Sequence, residues 1–187
     1  MSRRATPADP WQYGDRSAEE VRGTLLELAL EFVIDVRAIG GVERIALLGS
    51  LTTVKARPKD ADLLVSIATR VDLDNLARLA RRLKGRAQGL NSGADIFLAT
   101  EDGHYLGRIC HYRDCQPRAR CHARHCGAQP HLNDDLDVLT LPENVVQAPP
   151  IILHPVISAR VDVPPDVESR LLSPLRGPRH EDLRSGP

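Results

Sequence analysis

Two aspartates at the start of an apolar strand constrain the fold of this chain more than any other feature of its sequence. An apolar run over residues 45–48 ends at Gly49-Ser50, and Asp60 and Asp62 lead into a second apolar run over residues 63–67. Because successive side chains of a strand point to opposite faces, the two aspartates share one face while Ala61 points to the other. The pattern predicts a strand, a turn and a second strand that holds two carboxylates side by side.

Paired carboxylates of this kind predict a cation site. Two negative charges held next to each other repel unless a hard cation lies between them. Gly49 permits a positive φ angle and a close approach of the backbone, and Ser50 adds a hydroxyl and an N–H where a phosphate group can rest. These residue types therefore predict a divalent cation and a phosphate group at one place in the fold.

The stretch resembles the nucleotidyltransferase superfamily, whose signature is Gly-Ser, a spacer of about this length, and Asp-x-Asp at the start of a strand. The resemblance covers roughly residues 17–100, and residues 56–58 and 62–65 are similar to the small single-domain branch, the minimal nucleotidyltransferases. It implies that Gly49 and Ser50 bind the triphosphate of a nucleotide. It also implies that Asp60 and Asp62 hold divalent metal, with two Mg²⁺ ions possible, for nucleotidyl transfer.

The family resemblance further implies a third carboxylate on a neighbouring strand. Asp95, in an apolar segment over residues 94–99, is the candidate. The resemblance gives it the roles of binding one metal ion and activating the hydroxyl of an acceptor.

The loop between the two strands is basic. Lys55 and Arg57 would lie close to a triphosphate under the family resemblance, so we expect them to contribute to nucleotide binding, with a solvated basic loop as the alternative. The family often has an arginine soon after Gly-Ser, where this chain has Leu51. That departure favours a non-catalytic role.

Helical patterns surround these strands. Ser17 and Glu20 form a capping box for a first helix, and Asp72 begins a second helix that runs to about residue 86. The order of helices and strands predicts an α/β (α+β) domain over residues 16–100, with a small mixed sheet and helices packed on it. Residues 1–15 are expected to be a flexible arm. The second helix has a basic face, which we expect to be solvated, with nucleic-acid contact as the alternative: Arg78, Arg81, Arg82, Lys84 and Arg86.

All four cysteines fall in one short segment, together with five of the seven histidines. Four thiolates at close spacing can bind one tetrahedral zinc ion, so we predict a structural zinc knuckle within residues 101–131. A histidine replacing one cysteine, and free or partly oxidised thiols, stay open as alternatives. The predicted ligands are Cys110, Cys115, Cys121 and Cys126.

The remaining segments and the composition add few constraints. Residues 132–159 are expected to pack on the domain as an extension, and residues 160–187, rich in proline and charge, are expected to be disordered. The 25 basic and 25 acidic residues balance, so no global field favours nucleic acid or an anionic membrane. No apolar run approaches the length of a membrane span and no signal peptide is evident, which predicts a cytoplasmic protein without a membrane partner.

The leading hypothesis from the sequence is a metal-dependent nucleotidyltransferase. Its donor would be a nucleoside triphosphate, and its acceptor would be a protein, an RNA or a small molecule that the sequence does not specify. One alternative is an antitoxin-like or degenerate member of the fold that binds without turnover. A second alternative is a zinc-containing module that binds nucleic acid through the basic cysteine segment.

Overall fold

One mixed β-sheet organises the residues that the computed structural model describes, which are 16–111, 130–133 and 141–177. Its strands are β1 (Val42–Leu48), β2 (Asp60–Ile67), β3 (Gly93–Thr100), β4 (Tyr105–Ile109), β5 (Leu132–Asn133), β6 (Ile151–His154) and β7 (Ser158–Ala159). The strand order is β5-β4-β3-β2-β1-β6-β7. In this sheet β2 and β3 run parallel, and the other adjacent strands run antiparallel. The α+β class predicted from the sequence is confirmed.

Helices and short turns connect the strands. The helices are α1 (Ala18–Val36), α2 (Leu73–Gln88), α3 (Glu143–Gln147), α4 (Pro165–Val167) and α5 (Ser173–Arg176). A 3-10 turn over Gly49–Thr52 follows β1, and a π-helical turn over Glu168–Leu172 joins α4 to α5. None of the helices in the described part of the chain is long and apolar enough to cross a membrane.

The start of α1 follows from the predicted capping box. The Ser17 hydroxyl accepts a hydrogen bond from the backbone N–H of Glu20, and the Glu20 carboxylate accepts one from the N–H of Ser17. These bonds satisfy backbone donors that have no partner inside the helix. The helix ends before a turn at Gly41, whose φ of 88° brings the chain into β1.

The two faces of the sheet have different surroundings. Helices α1 and α2 cover one face, where they share a large apolar core with Ile45, Leu63 and Ile96. The opposite face has a smaller apolar cluster that includes Leu64 and Phe97 and is covered in part by α3. Because side chains alternate along a strand, Asp60 and Asp62 lie on the same face as Leu64, away from α1 and α2. The sheet therefore presents its carboxylates on the less covered face.

The segment after residue 160 differs from its prediction. Residues 160–177 were expected to be disordered, but α4, the π-helical turn and α5 pack against α1, and Val167, Leu171 and Leu172 are buried. The prolines misled the prediction, because Pro165 stands in the first turn of α4, where a missing N–H has no consequence. Residues 178–187 of the predicted tail lie outside the described residues.

The sheet also extends past residue 100, where a separate cysteine-rich segment was expected to begin. Strand β4 pairs with β3, and the N–H of Cys110 donates to the carbonyl of His131. The two ends of the segment over residues 111–130 are thereby held together at the edge of the sheet.

Candidate functional site

Three carboxylates meet on one face of the parallel pair β2 and β3. Asp62 and Asp95 are register partners on these adjacent strands, and Asp60 pairs with Gly93. Partners on adjacent parallel strands lie about 4.8 Å apart and point to the same face. The structure thus brings together the three aspartates that the family resemblance selects.

Two glycines leave space for two of these carboxylates. A side chain at Gly49 would place its Cβ 2.1 Å from Oδ2 of Asp62, and a side chain at Gly93 would place its Cβ 2.1 Å from Oδ1 of Asp60. Both contacts are too short for a Cβ, so a side chain at either position would displace the neighbouring carboxylate. Gly49 also has a φ of 64°, so the turn after β1 needs glycine both for its backbone conformation and for the space beside Asp62.

Asp62 has an unusual electrostatic environment. Burial, together with the negative charges of Asp60 and Asp95, raises its pKa to about 6, while Arg108 opposes the shift. Among the described residues, neither Asp60 nor Asp62 has a hydrogen-bond or ion-pair partner for its carboxylate. Among the described residues, the charges of Arg108 and Lys84 act on Asp62 and Asp60 without a hydrogen bond or an ion pair to either carboxylate.

Asp95 is held differently, by two cations. Lys84 Nζ lies 2.8 Å from Oδ1, and a guanidinium nitrogen of Arg108 lies 3.0 Å from Oδ2. Burial on its own would raise the pKa of Asp95, but the hydrogen bond and charge of Lys84, with those of Arg108, outweigh it and hold the pKa low. The roles of metal ligand and base stay predictions for Asp95, and each requires at least one of these two contacts to open.

Lys84 was expected on a solvated helix face, and this expectation is wrong. Its side chain is only 12% exposed, and burial lowers the pKa of its ammonium, although Asp95 counteracts part of that effect. No role was assigned to Arg108 from the sequence. A lysine within a basic helix face gives no signal in the sequence that it reaches a carboxylate on a later strand.

The Gly49–Ser50 turn and the basic loop after it differ in their position relative to the three aspartates. Ser50 is half-buried in the 3-10 turn, next to Gly49. Lys55 and Arg57 are both exposed. Arg57 lines a cavity of about 400 Å³ between the start of α1 and the turn after α2, and none of the three aspartates is among its described lining residues. Ser50 is thus close to the carboxylates, whereas Arg57 faces a different part of the surface.

A buried arginine that sequence reasoning missed anchors this loop. Arg22, on α1, donates to the carbonyls of Leu51 and Lys55, and its guanidinium also bonds both carboxylate oxygens of Asp166, at 2.5 and 3.2 Å. Its side chain is 8% exposed. The C-terminal helices therefore help to fix the loop that follows Gly49 and Ser50.

The donor set can be tested against the magnesium that the resemblance implies. Mg²⁺ prefers oxygen ligands and is usually held by one or two carboxylates, with water and substrate phosphates completing its shell. Asp60 and Asp62 match this requirement, because the two carboxylates share one face and have no ion-pair partner in the part of the chain that the structure describes. Within the described residues, no group of three or more His, Cys, Asp or Glu side chains is arranged to hold a metal ion. The two carboxylates fit a magnesium site that a phosphate ligand would complete.

The predicted zinc ligands fall largely outside the described residues. Cys115, Cys121 and Cys126 lie there, so the zinc site stays a prediction. Cys110 is buried at the end of β4, where its sulfur lies 3.4 Å from a guanidinium nitrogen of Arg81.

A second cavity lies at the other end of the parallel strands. It has a volume of about 770 Å³ and is lined by residues that follow the ends of β2 and β3, including Thr69 and Asp102. The three aspartates lie near the starts of the same strands. This cavity is therefore separate from the carboxylate group.

Comparison of the chain with protein-family models, with curated proteins and with solved structures gives no match in any of the three. The fold and the site together define an α+β protein with a carboxylate group on the less covered face of a mixed sheet, beside a Gly-Ser turn.

Proposed function

We propose that this protein binds a nucleoside triphosphate with magnesium at Asp60 and Asp62 and transfers its nucleotidyl group to an acceptor hydroxyl. The observation that carries the proposal is the contact between the Gly49 turn and the Asp62 carboxylate, which leaves no room for a side chain between them. A phosphate resting on this turn would lie next to two carboxylates that have no ion-pair partner among the described residues. A metal–triphosphate complex has the charge and the shape that this arrangement requires.

The reaction follows from these placements. The acceptor oxygen attacks the α-phosphorus of the triphosphate, the bond between the α-phosphorus and the bridging oxygen breaks, and pyrophosphate leaves. Bound magnesium supplies charge stabilisation at the attacking and leaving oxygens. Gly49 and Ser50 position the phosphates, and Asp60 and Asp62 provide the oxygen ligands.

Transfer of label from each nucleoside triphosphate into components of a cell lysate tests the activity. With magnesium present, we expect label at the α-phosphate to enter an acceptor and label at the γ-phosphate to leave as pyrophosphate. The double variant Asp60→Asn/Asp62→Asn should transfer no label, while the exposed-site variant Asp162→Asn should transfer as much as the wild type. Transfer of the γ-label, or equal transfer by the double variant, would refute nucleotidyl transfer by this site.

A second candidate function is nucleotide binding without turnover. It is favoured by the two contacts of Asp95, because a carboxylate held by Lys84 and Arg108 is a weak base. Both candidates require magnesium-dependent nucleotide binding, which the double variant should lose. Binding by the wild type without any transfer of α-label would select the non-catalytic function.

A further inference from the structure

The charges on the carboxylate face change along the sheet from β1 to β4. The Gly49–Ser50 turn follows β1, Asp60 and Asp62 lie on β2, Asp95 lies on β3, and the register partner of Phe97 on β4 is Arg108. Negative charge without a partner lies in the middle of this series. Positive charge lies at its β3–β4 end, where two cations share the single carboxylate of Asp95.

A third cation lies near the end of β4. The guanidinium of Arg81 donates a hydrogen bond to the carbonyl of Cys110, at 3.0 Å. The acidic centre on β2 and the basic end on β3–β4 are next to each other on the same face.

In a phosphoryl displacement, the leaving pyrophosphate and the acceptor lie on opposite sides of the reacting phosphorus. The two ends of this face would therefore bind the nucleotide and the acceptor. The attacking and leaving oxygens lie roughly in line on opposite sides of the phosphorus atom. If the leaving pyrophosphate rests on the Gly49–Ser50 turn at the β1 side, the acceptor must approach from the β3–β4 side. The acceptor therefore meets Lys84, Asp95 and Arg108.

We propose that Lys84 and Arg108 bind a phosphate group of the acceptor, and that Asp95 is the counter-ion that occupies them when no acceptor is present. This inference rests on the nucleotidyl transfer proposed above and names the substrate class of the acceptor, a phosphate-bearing hydroxyl compound. A guanidinium binds phosphate through two parallel N–H groups, and an ammonium adds a compact charge beside it. Lys84, Asp95 and Arg108 are each between 12% and 21% exposed, so the group is partly open to solvent.

Displacement of Asp95 from Lys84 and Arg108 by a phosphate also gives Asp95 its role in the reaction. When a phosphate takes over Lys84 and Arg108, the Asp95 carboxylate loses its two hydrogen-bond donors and stands beside the acceptor. It then accepts the proton of the attacking hydroxyl, while pyrophosphate leaves from the other side. Without the acceptor, Asp95 stays ion-paired.

Calorimetric titration of adenosine monophosphate and of adenosine tests the site, because the two compounds differ only by the phosphate. The donor site is first filled with magnesium and a non-hydrolysable ATP analogue. In the wild type the monophosphate should bind at least about ten-fold more tightly than adenosine. Lys84→Met should remove most of this difference, and Arg78→Met, which removes an exposed charge from the same helix, should preserve it.

The variant Asp95→Asn tests the inference independently, because it should change monophosphate binding in the opposite direction to Lys84→Met. Removal of the competing carboxylate should tighten binding of the monophosphate several-fold and, at the same time, abolish transfer of α-label. If Asp95 is mainly a metal ligand, the same variant should instead weaken binding of the magnesium–analogue complex. Equal binding of monophosphate and adenosine to the wild type, or weaker binding of the monophosphate to Asp95→Asn, would overturn the inference.

The design separates this inference from the function on which it rests. Binding of the analogue with magnesium depends on Asp60 and Asp62 and should be unchanged in Lys84→Met. If the analogue binds but the phosphate of the monophosphate makes no difference, only the acceptor site is refuted. If the analogue does not bind at all, both proposals are refuted.

A short single-stranded RNA in the same titration distinguishes two sources of the phosphate. Tighter binding than the monophosphate, lost in Lys84→Met, would place the acceptor phosphate in an RNA chain. Lys84-dependent binding of the monophosphate alone would identify a mononucleotide acceptor.

Discussion

At the scale of single residues, ionisation of the Asp62 carboxyl lowers the stability of the folded protein. A pKa raised from 3.8 to about 6 means that ionisation of this carboxyl is less favourable in the folded protein than in the unfolded chain. The folded state then binds more protons than the unfolded state, so stability falls as the pH rises between these two values. At neutral pH the ionised form costs about 3 kcal/mol, at roughly 1.4 kcal/mol for each pH unit.

Replacing Asp62 by asparagine should therefore stabilise the protein in a pH-dependent way. We expect Asp62→Asn to raise the free energy of unfolding by about 1 to 3 kcal/mol above about pH 7, and to change it little near about pH 4, where the native side chain is neutral. Urea unfolding at the two pH values measures the difference. Asp162→Asn, at an exposed position, serves as the control and should show no such dependence. An equal effect of Asp62→Asn at both pH values would show that folding does not raise the pKa of this carboxyl.

The glycine at the turn after β1 gives a second test at this scale. In Gly49→Ala, the new Cβ lies against the Asp62 oxygen at a backbone position with a positive φ. The substitution should therefore lower the free energy of unfolding by about 2 to 4 kcal/mol. Gly85→Ala, in the exposed interior of α2 with open space around it, should raise it by about 0.5 to 1 kcal/mol. Thermal and urea unfolding of the two variants give this contrast. A harmless Gly49→Ala would mean that Asp62 does not lie against the turn.

At the scale of secondary-structure elements, the pair formed by Arg22 and Asp166 joins three parts of the chain. Arg22 lies on α1, its carbonyl partners lie in the loop after Ser50, and Asp166 lies on α4. Burial opposes ionisation of Asp166, but the hydrogen bonds and charge of Arg22 outweigh it and lower its pKa. The contribution of the pair is therefore present above the pKa of an unfolded aspartate and is lost as the pH falls below it.

Removal of one partner should destabilise the fold, because the other is left buried. We expect Asp166→Ala to lower the free energy of unfolding by about 3 kcal/mol, since it leaves the Arg22 cation with carbonyl partners only. Glu27→Ala removes the partner of Arg170 in an exposed ion pair and should cost less than about 1 kcal/mol. Denaturant unfolding of both variants compares them. Similar, small losses for the two would contradict a structural role for the C-terminal helices.

The elements also show what the sequence can and cannot predict. Periodicity and caps locate α1, α2 and β1 to β3, because each follows from local rules: the Ser17 box, the alternation around Asp62, and the cap at Asp72. The packing of α4 and α5 depends on contacts between distant segments, which no local pattern encodes. Strand β4 pairs with β3 through a short turn at Gly103, and this hairpin was not recognised from the sequence. The partners of Asp95 lie on other elements, Lys84 on α2 and Arg108 on β4, so the sequence pattern around Asp95 does not indicate them.

At the scale of the whole molecule, one face of the sheet packs against the helices and the opposite face carries the proposed site. Helices α1 and α2, braced by the C-terminal helices, bury one face of the sheet and fix the positions of β2 and β3. The opposite face carries Asp60, Asp62 and Asp95 at the starts of the two parallel strands. The register of β2 and β3 places the carboxylates side by side on the face that the described residues cover less.

Direct measurement of bound divalent cation tests the central claim of this account most simply. Electron paramagnetic resonance of Mn²⁺, as a substitute for Mg²⁺, counts the ion bound to protein with a non-hydrolysable ATP analogue present. We expect the wild type and Asp162→Asn to bind Mn²⁺ with the analogue, and Asp60→Asn/Asp62→Asn to bind no more than the analogue binds alone. Equal binding of Mn²⁺ by the double variant and the wild type would show that these two carboxylates do not form the cation site.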